Sequence, residues 1–124
     1  MTTLYVAQVN QVITNNATWQ FAFQFGVPSD LSWNFDHCIL FSDVKAEASD
    51  DTPLLATSSE NGLLIILDLI ARIIQYNVPP LVIQDQLPVG DYVYDLIMVN
   101  NTTYDTQQLM TGTITVIDGP TKEQ

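Results

Sequence analysis

The chain has 124 residues, of which 47% are hydrophobic, and 14 acidic side chains against three basic ones give it a formal net charge of −11. This length predicts a single domain, residues 1–124, and the apolar content excludes a disordered chain, because enough surface can be buried to offset the entropy of ordering. Three scattered basic residues exclude binding to nucleic acid or to an anionic membrane, which requires clustered cations.

The sequence lacks signals for secretion and for membrane insertion. Its first residues show no basic region followed by an apolar stretch and a cleavage site, so we expect no signal peptide. The longest apolar segment, residues 63–74, is shorter than the ~20 residues that cross a bilayer, so we expect no membrane anchor. The one cysteine, Cys38, excludes an internal disulfide. Stability is therefore expected to come from packing, without a cofactor.

The first half of the chain has the pattern of β-strands. Residues 4–12 predict an extended stretch, and four aromatic residues then alternate with polar or small ones: Trp19, Phe21, Phe23 and Phe25. This alternation predicts a strand whose aromatic face is turned into the core. Residues 26–30 predict a turn and residues 33–41 one or two further strands. Residues 43–53 indicate an exposed loop or hairpin tip, and residues 54–56 a short strand.

Residues 63–74 are compatible with two interpretations. Their composition would suit one buried helix, and periodicity alone does not decide. The isoleucine content, the preceding Gly62 and the following Pro79 and Pro80 favour strands. Residues 80–87 lie between prolines, which predicts one or two helical turns that bridge two sheets.

The last third of the chain predicts a long hairpin. Pro88 and Gly90 mark a turn, after which residues alternate between two faces. One face carries Tyr92, Tyr94, Leu96 and Met98, and the other carries Val93, Asp95, Ile97 and Val99. Residues 100–105 predict the turn and residues 109–117 the returning strand. Strands that recur every ~8 to 12 residues favour a β-sandwich over an α/β fold.

No group of residues has the spacing of a catalytic or metal site. His37 and Cys38 are adjacent, and neighbours in a strand point to opposite faces, so they do not predict a nucleophile and its base. Five acidic side chains would offer oxygens to calcium, but they lack the spacing of a calcium loop, so we expect them to be solvated. They are Asp30, Asp36, Asp43, Asp50 and Asp51. We therefore predict a protein that is not an enzyme and has no catalytic, cofactor-binding or metal-binding residues.

Three short motifs occur in a characteristic order. Ser59-Glu60-Asn61-Gly62 is followed by Leu-Pro-Val-Gly-Asp-Tyr-Val-Tyr-Asp-Leu at 87–96 and by Met-Thr-Gly-Thr-Ile-Thr-Val at 110–116. From about Val9 to Thr121 the chain thereby resembles small immunoglobulin-like virion proteins of tailed bacteriophages. The resemblance implies an all-β, immunoglobulin-like sandwich of about seven or eight antiparallel strands, with a short helical turn near residues 80–87. It also implies two strands within residues 63–74, with a tight turn near Asp68.

The same resemblance implies a function. The chain would be a non-enzymatic structural component of a virion, made in the host cytoplasm and located on the tail, baseplate, fibre or capsid. Its partners would be other virion proteins in a symmetric multi-copy assembly, contacted through the edge strands at residues 4–12 and 109–117. The alternative is a carbohydrate-binding module for host-surface recognition, in which Tyr92, Tyr94 and Tyr104 would stack on a sugar, although aromatics on paired strands are more often part of the core.

Overall fold

The structure is a computed structural model that describes residues 7–24, 38–68 and 73–121. In these residues the chain forms two β-sheets and one short helix. The elements are β1 (Ala7–Gln8), β2 (Gln11–Thr14), β3 (Trp19–Gln24), β4 (Cys38–Lys45), β5 (Leu55–Ser58), β6 (Leu64–Asp68), β7 (Ile73–Val78), α1 (Pro80–Gln86), β8 (Gly90–Asn100) and β9 (Thr106–Ile117). The prediction of an all-β, sandwich-like chain with one short helix is confirmed.

The larger sheet has six strands and joins the first two described strands to the last. Its order is β1-β9-β8-β4-β5. β2 also pairs with β9, on the same side as β1 and further along the strand. β8 is antiparallel to β9 and β4, and β4 is antiparallel to β5, whereas β1 and β2 run parallel to β9. The expectation of a wholly antiparallel sandwich is therefore wrong at this edge. The parallel register places Ile13 beside Val116, so that both side chains are buried on the same face.

The smaller sheet has three strands, in the order β3-β7-β6, all antiparallel. β6 lies within residues 63–74, where two strands are predicted, whereas β7 begins there at Ile73 and continues to Val78; Ile66 lies opposite Ile74. Strands in place of a helix are thus confirmed, with the second strand displaced toward the C-terminus, and residues 69–72, next to the turn predicted near Asp68, lie outside the described part. The helical turn is confirmed too: α1 begins at Pro80, where a missing N–H is tolerated, and ends before Pro88.

The two sheets face each other across one apolar core. The indole ring of Trp19 on β3 stacks on the ring of Tyr76 on β7, with centroids 4.3 Å apart. Both rings meet Tyr94 on β8 edge-on, at 6.5 and 6.3 Å. Ile83 of α1 is fully buried in the same hydrophobic core. Aromatic pairs of this kind contribute ~0.5–1.5 kcal/mol beyond the area they bury, so this group of rings holds the sheets together.

The aromatic face of β3 is only partly in the core. Trp19 is buried, whereas Phe21 and Phe23 are half-buried, and the intervening Gln20, Ala22 and Gln24 are exposed. The predicted alternation is confirmed. Phe21 and Phe23 pack against the core as predicted, but they are only half-buried, because β3 is an edge strand of the smaller sheet. Phe25 lies outside the described residues.

The C-terminal hairpin contains a bulge that its alternation did not predict. Leu96 pairs with Met110, but the next residue, Ile97, pairs with Gln108. Leu109 is therefore an extra residue on β9, and both Leu109 and Met110 are buried.

Upstream, β4 extends through Lys45, so the expectation that the exposed loop begins at residue 43 is also wrong. Val44 fills the core there and keeps the strand in place.

Candidate functional site

The predicted chemical candidates that lie in the described residues do not come together. No group of three or more His, Cys, Asp or Glu side chains that could hold a metal ion occurs in the described part of the chain. Cys38 is half-buried at the start of β4, and burial raises the pKa of its thiol. His37 lies outside the described residues, so the His–Cys pair has no geometry to assess. No helix among the described residues is long and apolar enough to span a membrane.

The acidic candidates occupy different elements. Asp43 lies on β4, whereas Asp50 and Asp51 lie in the loop before β5. The Asp50 carboxylate accepts a hydrogen bond from the backbone N–H of Glu47 at 3.1 Å, which closes that loop on itself. Asp30 and Asp36 lie outside the described residues.

The three tyrosines proposed as a sugar-stacking surface do not converge. Tyr92 and Tyr94 are only 8% and 3% exposed, while Tyr104 is 76% exposed in the turn between β8 and β9. The Tyr92 hydroxyl donates to the backbone oxygen of Pro88, and burial raises its pKa. The predicted surface is therefore wrong for two of its three residues, because alternation along β8 turns Tyr92 and Tyr94 inward.

A buried glutamine fastens the first strands to both sheets. Gln11 on β2 donates from its amide nitrogen to the Tyr94 hydroxyl at 3.0 Å and accepts at its amide oxygen from the Trp19 indole N–H at 2.9 Å. The Tyr94 hydroxyl in turn donates to the backbone oxygen of Val9 at 2.8 Å. Each buried polar atom in this network thus has a partner, which is what permits a glutamine in the core. β2 is consequently held in one position and register.

A second series of hydrogen-bonded polar groups connects the two sheets. The Tyr76 hydroxyl is hydrogen-bonded to the Ser42 hydroxyl at 2.6 Å, and Ser42 donates to the backbone oxygen of Asp95. Thr57 of β5 donates to the backbone oxygen of Ser42 at 2.8 Å. Burial raises the pKa of Tyr76 far above its usual range, so this hydroxyl remains protonated. This series of hydrogen bonds links the inner face of the smaller sheet to β4, β5 and β8.

Two carboxylates lie opposite each other on the outer face of the larger sheet. The register of β4 and β8 puts Asp43 beside Asp95, between the pairs Phe41–Ile97 and Val44–Tyr94. Burial raises the pKa of Asp95, the neighbouring Asp43 raises it further, and Lys45 lowers it. Like charges directly opposite on paired strands are destabilising. This part of the surface therefore reduces the stability of the fold at neutral pH.

The edge at β5 is closed by a side chain. The Asn61 amide group donates to the backbone oxygen of Ala56 at 3.0 Å and accepts from the backbone N–H of Ser58 at 3.0 Å. These are the backbone groups of β5 that point away from β4, since Ser59 and Leu40 are bonded to each other on the β4 side. Asn61 thus occupies the position that a further strand would take, which is a recognised protection of sheet edges.

The edge at β2 has no pairing strand in the described part of the chain. Val9 donates to Thr111 and Asn15 donates to Ile117, so the odd-numbered residues direct their backbone groups toward β9. The N–H and C=O groups of Val12 and Thr14 therefore point outward, and no strand of the described residues pairs with them. The Val12 side chain is 68% exposed. A groove of about 260 Å³ runs between this edge and residues 18–21 of the smaller sheet.

These positions correct the predicted docking edges. β9 was expected to offer a free edge at residues 109–117, but it lies between β8 on one side and β1 and β2 on the other. The other predicted docking edge is the N-terminal segment, in which β2 is an edge strand of the described part, while residues 4–6 lie outside it; docking there stays a prediction. Gln11 and Asn61 were not identified from the sequence, because their partners are brought to them by strand pairing. Comparison with protein-family models and with curated proteins found no match.

Proposed function

We propose that this chain is an immunoglobulin-like sandwich that serves as a non-enzymatic structural component of a tailed-phage virion. The order of strands supports the first part. Immunoglobulin domains place strands B, E and D in one sheet and C, F and G in the other. By their order in the chain and their places in the sheets, β3, β7 and β6 correspond to B, E and D, and β4, β8 and β9 correspond to C, F and G. β5 then corresponds to the additional strand C′ of variable-type domains.

The observation that carries this assignment is the contact made by Tyr92. Immunoglobulin domains have a tyrosine near the start of strand F whose hydroxyl bonds back to the backbone a few residues upstream. Tyr92 lies near the start of β8 and donates to the backbone oxygen of Pro88, four residues earlier. Two residues later, where antibody domains carry the second cysteine of the disulfide between B and F, Tyr94 contacts Trp19 of β3. An aromatic contact thus replaces the disulfide.

The virion role is supported by the agreement between these features and the motifs that resemble phage immunoglobulin-like proteins. Residues 87–96, which carry the resemblance, include Pro88 and Tyr92, which form the hydrogen bond at the start of β8. They also include Tyr94, which contacts Trp19 of the other sheet. The strong negative charge suits a soluble module present in many copies, since like-charged copies repel one another until a partner organises them. The partners would be other virion proteins, with no nucleic acid and no membrane among them.

Mass spectrometry of purified phage particles tests this proposal. We expect the chain in particles at a fixed ratio to a symmetric tail, baseplate, fibre or capsid protein, because virions are built from repeats. Particles from a phage carrying a stop codon early in the gene are the control for carry-over. A chain that is abundant in the infected-cell lysate and absent from particles would contradict the virion role.

A further inference from the structure

We infer that β2 is the docking edge of the module and that it receives an extended strand from the virion partner. The inference rests on the proposed function and specifies its contact. An extended strand is the occupant that suits this edge, because unpaired backbone N–H and C=O groups are best satisfied by another backbone. The bound segment would extend the six-stranded sheet by one strand beyond β2.

The edge offers a definite set of contacts. Val12 and Thr14 provide two N–H and two C=O groups that point away from β9. On the outer face the exposed Val12 side chain would pair with a side chain of the incoming strand. On the inner face the groove beside the edge is lined by Trp19, Gln20 and Phe21. A partner strand with apolar side chains at alternate positions would therefore place one of them over Phe21.

The rest of the fold prepares this edge for binding. The hydrogen bonds of Gln11 to Tyr94 and Trp19 hold β2 in register against β9, so a partner strand meets an edge that is already ordered. Preorganisation of this kind reduces the entropic cost of association. The opposite end of the same sheet is closed by Asn61, which directs strand addition to β2. The net charge of −11 further favours a partner segment with basic flanking residues.

Proline at position 12 provides a selective test. The N–H of Val12 points outward, so Val12→Pro removes a docking donor while it leaves the bonds between β2 and β9 in place, and proline is tolerated on edge strands. Val12→Thr is the matched control, because it keeps the N–H and the β-branched shape. Val12→Lys is a second test variant, since an edge lysine blocks strand addition without changing the backbone. Thermal melts establish that each variant folds.

We expect Val12→Pro and Val12→Lys to fold and to enter particles about tenfold less than the wild type, and Val12→Thr to enter normally. If the wild type is present in particles and both test variants enter equally well, the inference is overturned and the proposed function stands. If Val12→Pro does not fold, Val12→Lys alone decides.

A peptide probe tests the edge without particles. We expect acetyl-Lys-Val-Thr-Val-Thr-Val-Lys-amide at millimolar concentration to slow amide exchange at Val12 and Thr14, as measured by NMR. The same peptide with proline in place of its central valine should have no effect. Absence of slowing at both amides, or equal slowing by the two peptides, overturns the inference. If the chain is missing from particles, the proposed function fails, and this peptide experiment alone decides whether β2 accepts an added strand.

Discussion

Replacement of Gln11 by methionine measures how strongly the buried polar network stabilises the fold. Methionine has a similar volume but leaves the Trp19 indole N–H without its acceptor at 2.9 Å. A buried donor without a partner costs ~1–3 kcal/mol, and loss of the bond to Tyr94 adds about 1 kcal/mol, because that hydroxyl keeps its bond to Val9. We expect a loss of ~2–4 kcal/mol, from a total stability of ~5–15 kcal/mol.

Urea unfolding followed by tryptophan fluorescence and circular dichroism provides the measurement. For a chain of this size such a loss lowers the melting temperature by roughly 10 °C. Gln20→Met is the matched control, because Gln20 is exposed and its contact with Asn77 is long, at 3.4 Å. It should change stability by less than ~0.5 kcal/mol. A Gln11→Met variant as stable as this control would refute the argument that the network holds β2 in place.

Three further predictions concern single positions. The pKa of Asp95 is raised above its unfolded value of 3.8, so the native state binds this proton more tightly than the unfolded state does. At a pH above the raised pKa, the ionised carboxylate therefore destabilises the fold. Asp95→Asn should therefore raise the melting temperature at pH 7, with no difference left below about pH 3; an equal or lower value at pH 7 would contradict this. Asn61→Ala should cost ~1–2 kcal/mol and promote self-association in sedimentation experiments, since β5 loses its cap; a variant that stays monomeric and fully stable would count against the cap. Gly112→Ala should melt well below the exposed control Thr113→Ala, because its Cβ would lie 1.9 Å from the backbone oxygen of Val9, and equal melting temperatures would disprove the close contact.

Much of the fold is encoded by local pattern. Alternation along β3 predicted which side chains face inward, and alternation along β8 predicted its two faces without saying which is buried. Gly62 and the prolines at 79 and 80 favoured strands and a helical turn where composition alone suggested a helix, and the family resemblance implied that the strands are two. These signals depend on neighbours in sequence. The half-burial of Phe21 and Phe23 does not, because it depends on whether another strand lies beside β3.

The proposed docking edge and the outer carboxylate pair depend on contacts between distant segments. Parallel pairing of β2 with β9 joins residues about 100 positions apart and leaves no periodic signal. Asp43 and Asp95 become neighbours through the register of β4 and β8, which neither strand encodes by itself. The inward turn of Tyr92 and Tyr94 was contained in the alternation, and their burial follows once β8 is known to lie inside the larger sheet.

The parallel pairing of the first and last strands also determines how the module responds to mechanical force. When the chain is pulled at its two ends, β2 and β9 are drawn in opposite directions along their shared axis. The hydrogen bonds from residues 11–15 to β9 then lie across the load and must break together, whereas in an antiparallel end hairpin they would break one at a time. We therefore expect the fold to resist extension applied at its two ends, and Gln11, bonded to Trp19 and Tyr94, anchors β2 against that sliding motion.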